Sequence, residues 1–134
     1  MPDATRRLRT DPRDRFSDPE VCLRLDDEFA QLPRESASRQ GHMQKALYRH
    51  GNTTTAIFAF DAGSGIDQHA VEGESIIHVI DGKMNIATAA HEYVLGPNDL
   101  LLLDPGVPHD LKAIEPTRML MTFVREHEKG QEQE

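Results

Sequence analysis

Two histidines in this sequence stand where a glycine-containing turn leads into an apolar segment. His69 follows Gly63-Ser64-Gly65, and His109 comes directly after Gly106-Val107-Pro108. Imidazole is the commonest metal ligand in proteins, and its pKa near neutrality also allows it to carry a proton. The pair therefore indicates either a metal site or two hydrogen-bonding groups that line a pocket.

A metal site needs more donors than this pair, because zinc, iron and manganese sites usually hold three or four protein ligands. His78 is the candidate third ligand. Side chains alternate between faces along a strand. A strand with position 75 facing inward therefore also has Ile77 and Val79 inside and His78 outside. A β-bulge near Gly73 would reverse this assignment, and both placements of His78 stay open.

Other titratable side chains near the pair are assigned to the surface. Glu72 and Glu74 flank Gly73, and one of them could turn inward as a carboxylate donor. The four remaining histidines occur at turns, at strand ends or in the C-terminal tail, and they are expected to face solvent: His42, His50, His91 and His127.

The block at residues 63–82 resembles the first motif of the cupin superfamily, whose members are small β-barrels of the jelly-roll kind. It keeps the glycines of that motif and places His69 at the first motif histidine. Val71 stands where the motif has its second histidine, and Ser75 stands where it has a glutamate. Two of the metal ligands that cupins usually carry are therefore replaced.

The block at residues 96–109 resembles the second cupin motif. It keeps both glycines and the histidine, while Asp104 replaces the usual proline and Ala113 the usual asparagine. In cupins the two retained histidine positions face the barrel interior and bind the metal. The resemblance implies that His69 and His109 are paired site residues, with Fe, Mn, Ni or Zn as the ion if one is bound. It also implies a cupin-type antiparallel jelly-roll β-barrel, to which the sequence before it adds a short N-terminal helix.

The segment pattern predicts an all-β barrel or sandwich without the resemblance, because short apolar stretches alternate with Gly, Pro, Asn and Asp turns. Asp81-Gly82 is the clearest hairpin signal, since glycine supplies the positive φ that such turns need. We expect eight strands, near 43–49, 53–60, 75–81, 83–88, 91–95, 99–103, 109–114 and 118–124.

The chain is expected to divide into an arm, a helix with its connection, a barrel and a tail. Asp18-Pro19-Glu20 predicts a helix start, and an apolar stripe from Val21 to Leu32 should pack on the outside of the barrel. The expected bounds are 1–17 for a flexible arm, 18–42 for the helix and connection, 43–124 for the barrel and 125–134 for a flexible tail.

Composition restricts the partners. The net charge of −8 disfavours nucleic acid and anionic membranes, which need clustered positive charge. One cysteine, Cys22, rules out an intrachain disulfide and suits a reducing compartment, so a cytoplasmic protein is expected. The sequence offers no apolar run as long as a membrane span. Cupin barrels often dimerise, and we expect a homodimer.

Three functional interpretations remain open on the sequence. The first is a metal-dependent enzyme, of dioxygenase or isomerase type, acting on a small apolar or aromatic substrate. The second is a ligand-binding or sensing domain without catalysis or metal, which the two lost ligands favour. The third is a metal-free acid–base enzyme with His109 as the base. In each case the expected ligand-binding residues line an apolar pocket: His69, His109, Ile77, Val79, Leu101, Leu111 and Met121.

Overall fold

A computed structural model describes residues 19–32 and 41–125, with the backbone alone given at positions 68 and 69. Within these residues one short helix, α1, covers Leu25–Ala30. Nine strands follow in the described range 41–125: β1 His42–His50, β2 Thr53–Phe60, β3 Gly65–His69, β4 Gly73–Asp81, β5 Met84–Ala87, β6 Glu92–Leu95, β7 Leu100–Leu103, β8 His109–Ala113 and β9 Thr117–Arg125.

The strands form two sheets, and all their pairings are antiparallel. One sheet has five strands in the order β1-β2-β9-β4-β7, and the other has four in the order β3-β8-β5-β6. Sequential strands such as β1 and β2 pair directly, whereas β9 returns to lie between β2 and β4. This arrangement confirms the prediction of an all-β, antiparallel barrel.

The core lies between the two sheets and is built by strand alternation. On β4, Ile77 and Val79 are fully buried, as the period-2 pattern predicts. Met121 and Met119 are their partners on β9, and the opposite sheet contributes Ile86 and Leu111, also fully buried. These facing rows fill the barrel with apolar side chains.

Helix α1 packs on the outer face of the five-stranded sheet, as expected. Phe29 and Leu32 bury themselves there against Leu47 and Ile57. The predicted start was wrong, because the helix begins at Leu25 after the N-cap residue Arg24, which makes no side-chain capping bond. Val21 lies outside the helix and is exposed.

An ion pair joins strands β4 and β9 beneath this helix. The Arg118 guanidinium donates through Nε and Nη2 to Asp81 Oδ2, at 2.8 and 2.6 Å, and lies 4.8 Å from the centre of the Phe29 ring. The hydrogen bond to Asp81 raises the pKa of Arg118, and partial burial opposes that rise.

Strand β3, residues 65–69, was not expected as a strand of its own. The sequence Gly-Ile-Asp-Gln-His has one large apolar residue, so it gives no alternation, and its pairing with β8 forms the strand instead. The predicted arm at 1–17 and nearly all of the tail at 125–134 lie outside the described residues. No helix in the described part of the chain is long and apolar enough to cross a membrane.

Candidate functional site

The two histidine positions are direct neighbours across a pair of strands. Position 69 on β3 is the antiparallel partner of His109 on β8. Directly opposite residues lie on the same face of a sheet, with Cβ atoms about 4.5–5.5 Å apart. The fold therefore brings the backbones of these two distant sequence motifs together.

The His109 ring is buried and oriented by the turn before it. Its Nδ1 lies 2.9 Å from the carbonyl oxygen of Val107. A carbonyl only accepts, so Nδ1 carries the proton in the neutral ring and Nε2, also a buried atom, carries the lone pair. A backbone carbonyl fixes metal-binding histidines in the same way.

The two replaced motif positions lie on and just before β4. Ser75 is 2% exposed on β4, between Leu103 of β7 and Phe123 of β9. Val71 is half-buried, and its carbonyl accepts a 2.7 Å hydrogen bond from the Gly106 amide, which ties the first motif block to the second. The backbone of the first motif is thus present, but valine and serine stand at the two positions where the motif has metal ligands.

His78 lies on the other face of β4. The pairing of β4 with β9 runs without interruption from Gly73 to Val79, so no bulge near Gly73 reverses the alternation. Its Nε2 is 3.3 Å from Asn98 Oδ1 at the surface. The structure therefore does not bring His78 to His109, and its assignment as a third ligand has no support in this arrangement.

The expected pocket-lining residues belong to the packed core. Ile77, Val79, Leu111 and Met121 are fully buried in it, and Leu101 packs against it half-buried. None of them lines the open cavities at the barrel ends or the one under α1. Their contact with a ligand stays a prediction.

An open cavity of about 450 Å³ lies at one end of the barrel, beside Val71. Arg49, Arg125 and Glu72 line it together with Thr54 and Phe123, and we call it the arginine cavity. Sequence reasoning missed both arginines. Arg125 was assigned to the tail, and the face of Arg49 depends on a bulge.

That bulge lies on β1 between Ala46 and Tyr48. Without it, alternation would put Arg49 on the face opposite to Ala46. Because one extra residue is inserted, Arg49 instead pairs with Thr54 and shares the face of Ala56, which is the core side of β2.

A second, smaller cavity borders His109. It measures about 270 Å³. The residues that line it are His109 with its two chain neighbours and the segment 87–89. His109 is thus at a cavity wall while its ring is buried.

The prediction that the four other histidines face solvent is confirmed for two of them. His50 and His91 are exposed, and His127 lies outside the described residues. His42 corrects the expectation, because it is half-buried and stacks on Phe60 with ring centres 5.2 Å apart. The ring of Phe58 stacks on that of Phe60 in turn.

Among the side chains that the structure describes, no three His, Cys, Asp or Glu residues lie close enough together to hold a metal. The His69 side chain is not one of those described. The donor that the structure does orient is the Nε2 of His109.

A family model described as a cupin domain matches residues 56–124, slightly more than half of the chain. The chain belongs to the cupin superfamily. The matched range holds both motif blocks and the strands from β2 to β9. No curated protein sequence matches this cupin.

Solved structures agree with the cupin fold. The cupin domain of Cnp3 from Schizosaccharomyces pombe superposes with a TM-score of 0.70 at 14% identity, covering 84% of this chain and 80% of that one. KdgF from a Halomonas species gives 0.60 at 20% identity, over 67% and 84%. An RmlC-like cupin from Shewanella frigidimarina gives 0.61 at 20% identity, over 68% and 82%. At these identities the likeness concerns the fold alone, and cupins include both metal-dependent enzymes and ligand-binding domains.

Proposed function

We propose that this cupin binds a small apolar or aromatic molecule at a two-histidine site formed by His69 and His109. The pairing of position 69 with His109 carries the proposal, because it joins the two motifs at one place. The buried His109 ring with its defined tautomer supports it further. Open space beside both motif blocks leaves room for a ligand.

In one form of the proposal the protein is a metal-dependent enzyme of dioxygenase or isomerase type. The two imidazoles can supply two ligands to a divalent ion. His109 Nε2 and a nitrogen of His69 would hold Fe, Mn, Ni or Zn. Such an ion would act as a Lewis acid on the bound molecule. His109 would remain oriented by the Val107 carbonyl, and the apolar core behind it would limit water.

In the alternative form the protein is a non-catalytic, metal-free binding or sensing domain, in which the two histidines hydrogen-bond the ligand. The side chains at the replaced positions favour this form. Val71 has no lone pair to give, and Ser75 offers a neutral hydroxyl in place of a carboxylate. Two imidazoles alone hold an ion loosely.

Elemental analysis separates the two forms. The wild-type protein, purified without chelator, should carry close to one divalent ion per chain if it is an enzyme, and the His69→Ala and His109→Ala variants should lose it. His91→Ala, at an exposed position, is the matched control. Metal-free wild-type protein would support the binding domain. A content close to one ion per chain in all four proteins would contradict metal binding at the two histidines.

We also propose a cytoplasmic homodimer that binds neither nucleic acid nor membranes. An exposed cysteine without a disulfide partner and the net negative charge support these assignments. Strand β1, at one edge of the five-stranded sheet, and helix α1 are the proposed contact elements. Light scattering after size-exclusion chromatography should give twice the chain mass, and a monomer mass would exclude the dimer.

A further inference from the structure

We infer that the arginine cavity binds the carboxylate of a small apolar or aromatic monoanion. This proposal rests on the proposed ligand-binding function, but anion binding at the barrel end beside Val71 requires neither a metal nor the two histidines.

Arg49 is the first observation that points to an anion. Its Nε is buried and has no hydrogen-bond partner among the described residues. A buried donor left without an acceptor is costly. The planar guanidinium fork matches the two oxygens of a carboxylate. Because the Nε atom is covered in this conformation, a carboxylate in the cavity would supply the missing acceptor once the Arg49 side chain turns this edge toward it.

The charges around the cavity select a monoanion. Arg49 and Arg125 contribute two positive charges and Glu72 one negative charge, and the other lining side chains are neutral. The local charge is therefore +1, in a protein whose overall charge is −8. A single carboxylate neutralises this charge, whereas a phosphate dianion would leave an excess negative charge next to Glu72.

The remaining wall suits an apolar body attached to the carboxylate. Val71 and Phe123 present apolar surface to the cavity, and the Thr54 hydroxyl lies on the strand facing Arg49. Its volume, about 450 Å³, falls in the range of small-molecule sites. A ring such as that of benzoate fits these properties, with its carboxylate at Arg49 and its edge against Phe123.

Calorimetric titration with benzoate tests the inference, with benzamide as the neutral molecule of similar shape. Benzoate should bind in the millimolar range or tighter and benzamide should not. Arg49→Gln and Arg125→Gln should each weaken benzoate binding about ten- to a hundredfold, as expected for loss of a charged hydrogen-bonding partner. Glu72→Gln should strengthen it. Arg24→Gln, which removes an exposed arginine outside the cavity, should leave the affinity unchanged.

Amide chemical-shift mapping of the wild-type protein keeps the test valid if a variant does not fold. Benzoate should shift the amides of Thr54, Val71, Gly73 and Phe123. Absence of binding, equal binding of benzamide, or shifts elsewhere would overturn the inference. Stronger binding of inorganic phosphate than of benzoate would overturn the assignment to a monocarboxylate.

Repeating the titration with a chelator present distinguishes this inference from the proposed histidine site. Benzoate affinity that survives chelation supports an anion site independent of metal, even if no metal binds at the histidines. Affinity abolished by the chelator would contradict that independence.

Discussion

The inner face of the five-stranded sheet changes character from one end to the other. At one end Phe58, Met119 and Val79 are paired neighbours on β2, β9 and β4, and all three are buried. We call this the closed end. Four residues along each strand the corresponding trio is Thr54, Phe123 and Ser75, which we call the open end.

One sheet therefore contributes both to a filled core and to the wall of an open cavity. On β2 and β4 the inward positions hold large apolar side chains at the closed end and small hydroxyl side chains at the open end, while on β9 the Phe123 ring at the open end borders a cavity. Adjacent to the open end lie the arginine cavity and the segment 70–72, which connects β3 to β4 and contains Val71. Stability should therefore depend on the closed end, and binding on the open end.

The largest expected effect contrasts two positions on the inner face of β9. Met119→Ala should lower the free energy of unfolding by about 2–5 kcal/mol, because it leaves a void in a filled core. Phe123→Ala removes a larger side chain but should cost less, since that ring already borders a cavity. Denaturant unfolding measures both changes. A greater loss for Phe123→Ala would break the distinction between the two ends.

The turn at the closed end gives the next effect. Gly82 has φ +94°, and a Cβ there would overlap the Pro116 carbonyl oxygen. Gly63 has φ +84° but open space around its Cβ position. Gly63→Ala should cost about 1–2 kcal/mol from backbone strain alone. Gly82→Ala should cost roughly 1–3 kcal/mol more. Equal losses in thermal or chemical unfolding would show that the close contact relaxes freely.

The smallest effect concerns the ion pair under α1. Asp81→Asn should destabilise the fold by about 1 kcal/mol or less, because both partners are more than a third exposed and water screens them. The raised pKa of Arg118 means that its contribution is present at neutral pH and is lost only as the pH rises through that value. High salt should reduce the difference between the two proteins. A difference that is large and independent of salt would contradict this estimate.

Much of the fold follows from local sequence. The eight strands with alternating apolar residues or clear flanking turns are present close to their expected bounds. Strand β3 could not be predicted in this way, since only its pairing with β8 makes it a strand. The start of α1 was misplaced because Pro19 and Glu20 resemble a helix start that the chain does not use.

The candidate site was less accessible to prediction. The motif spacing predicted His69 and His109 as a pair, and the two positions are strand partners, though their role stays a prediction. Alternation placed His78 on the outer face, as the structure has it. Arg49 could not be assigned, because a single inserted residue in β1 changes its face and no sequence signal marks that bulge. Arg125 reaches the arginine cavity because β9 continues to the residue that pairs with Gly73.

If His69 and His109 hold an ion, they supply only half of the donors that a cupin metal centre usually has, and such an ion should bind weakly. Calorimetric titration with Mn, Ni and Zn tests it in the wild-type protein and in the double variant Val71→His plus Ser75→Glu. The double variant should bind much more tightly, because it adds two strong donors to the histidine pair. Its buried glutamate should lower the thermal stability without metal, and metal should restore it. Tight binding of equal strength in both proteins would contradict the claim and require a further ligand in the wild type.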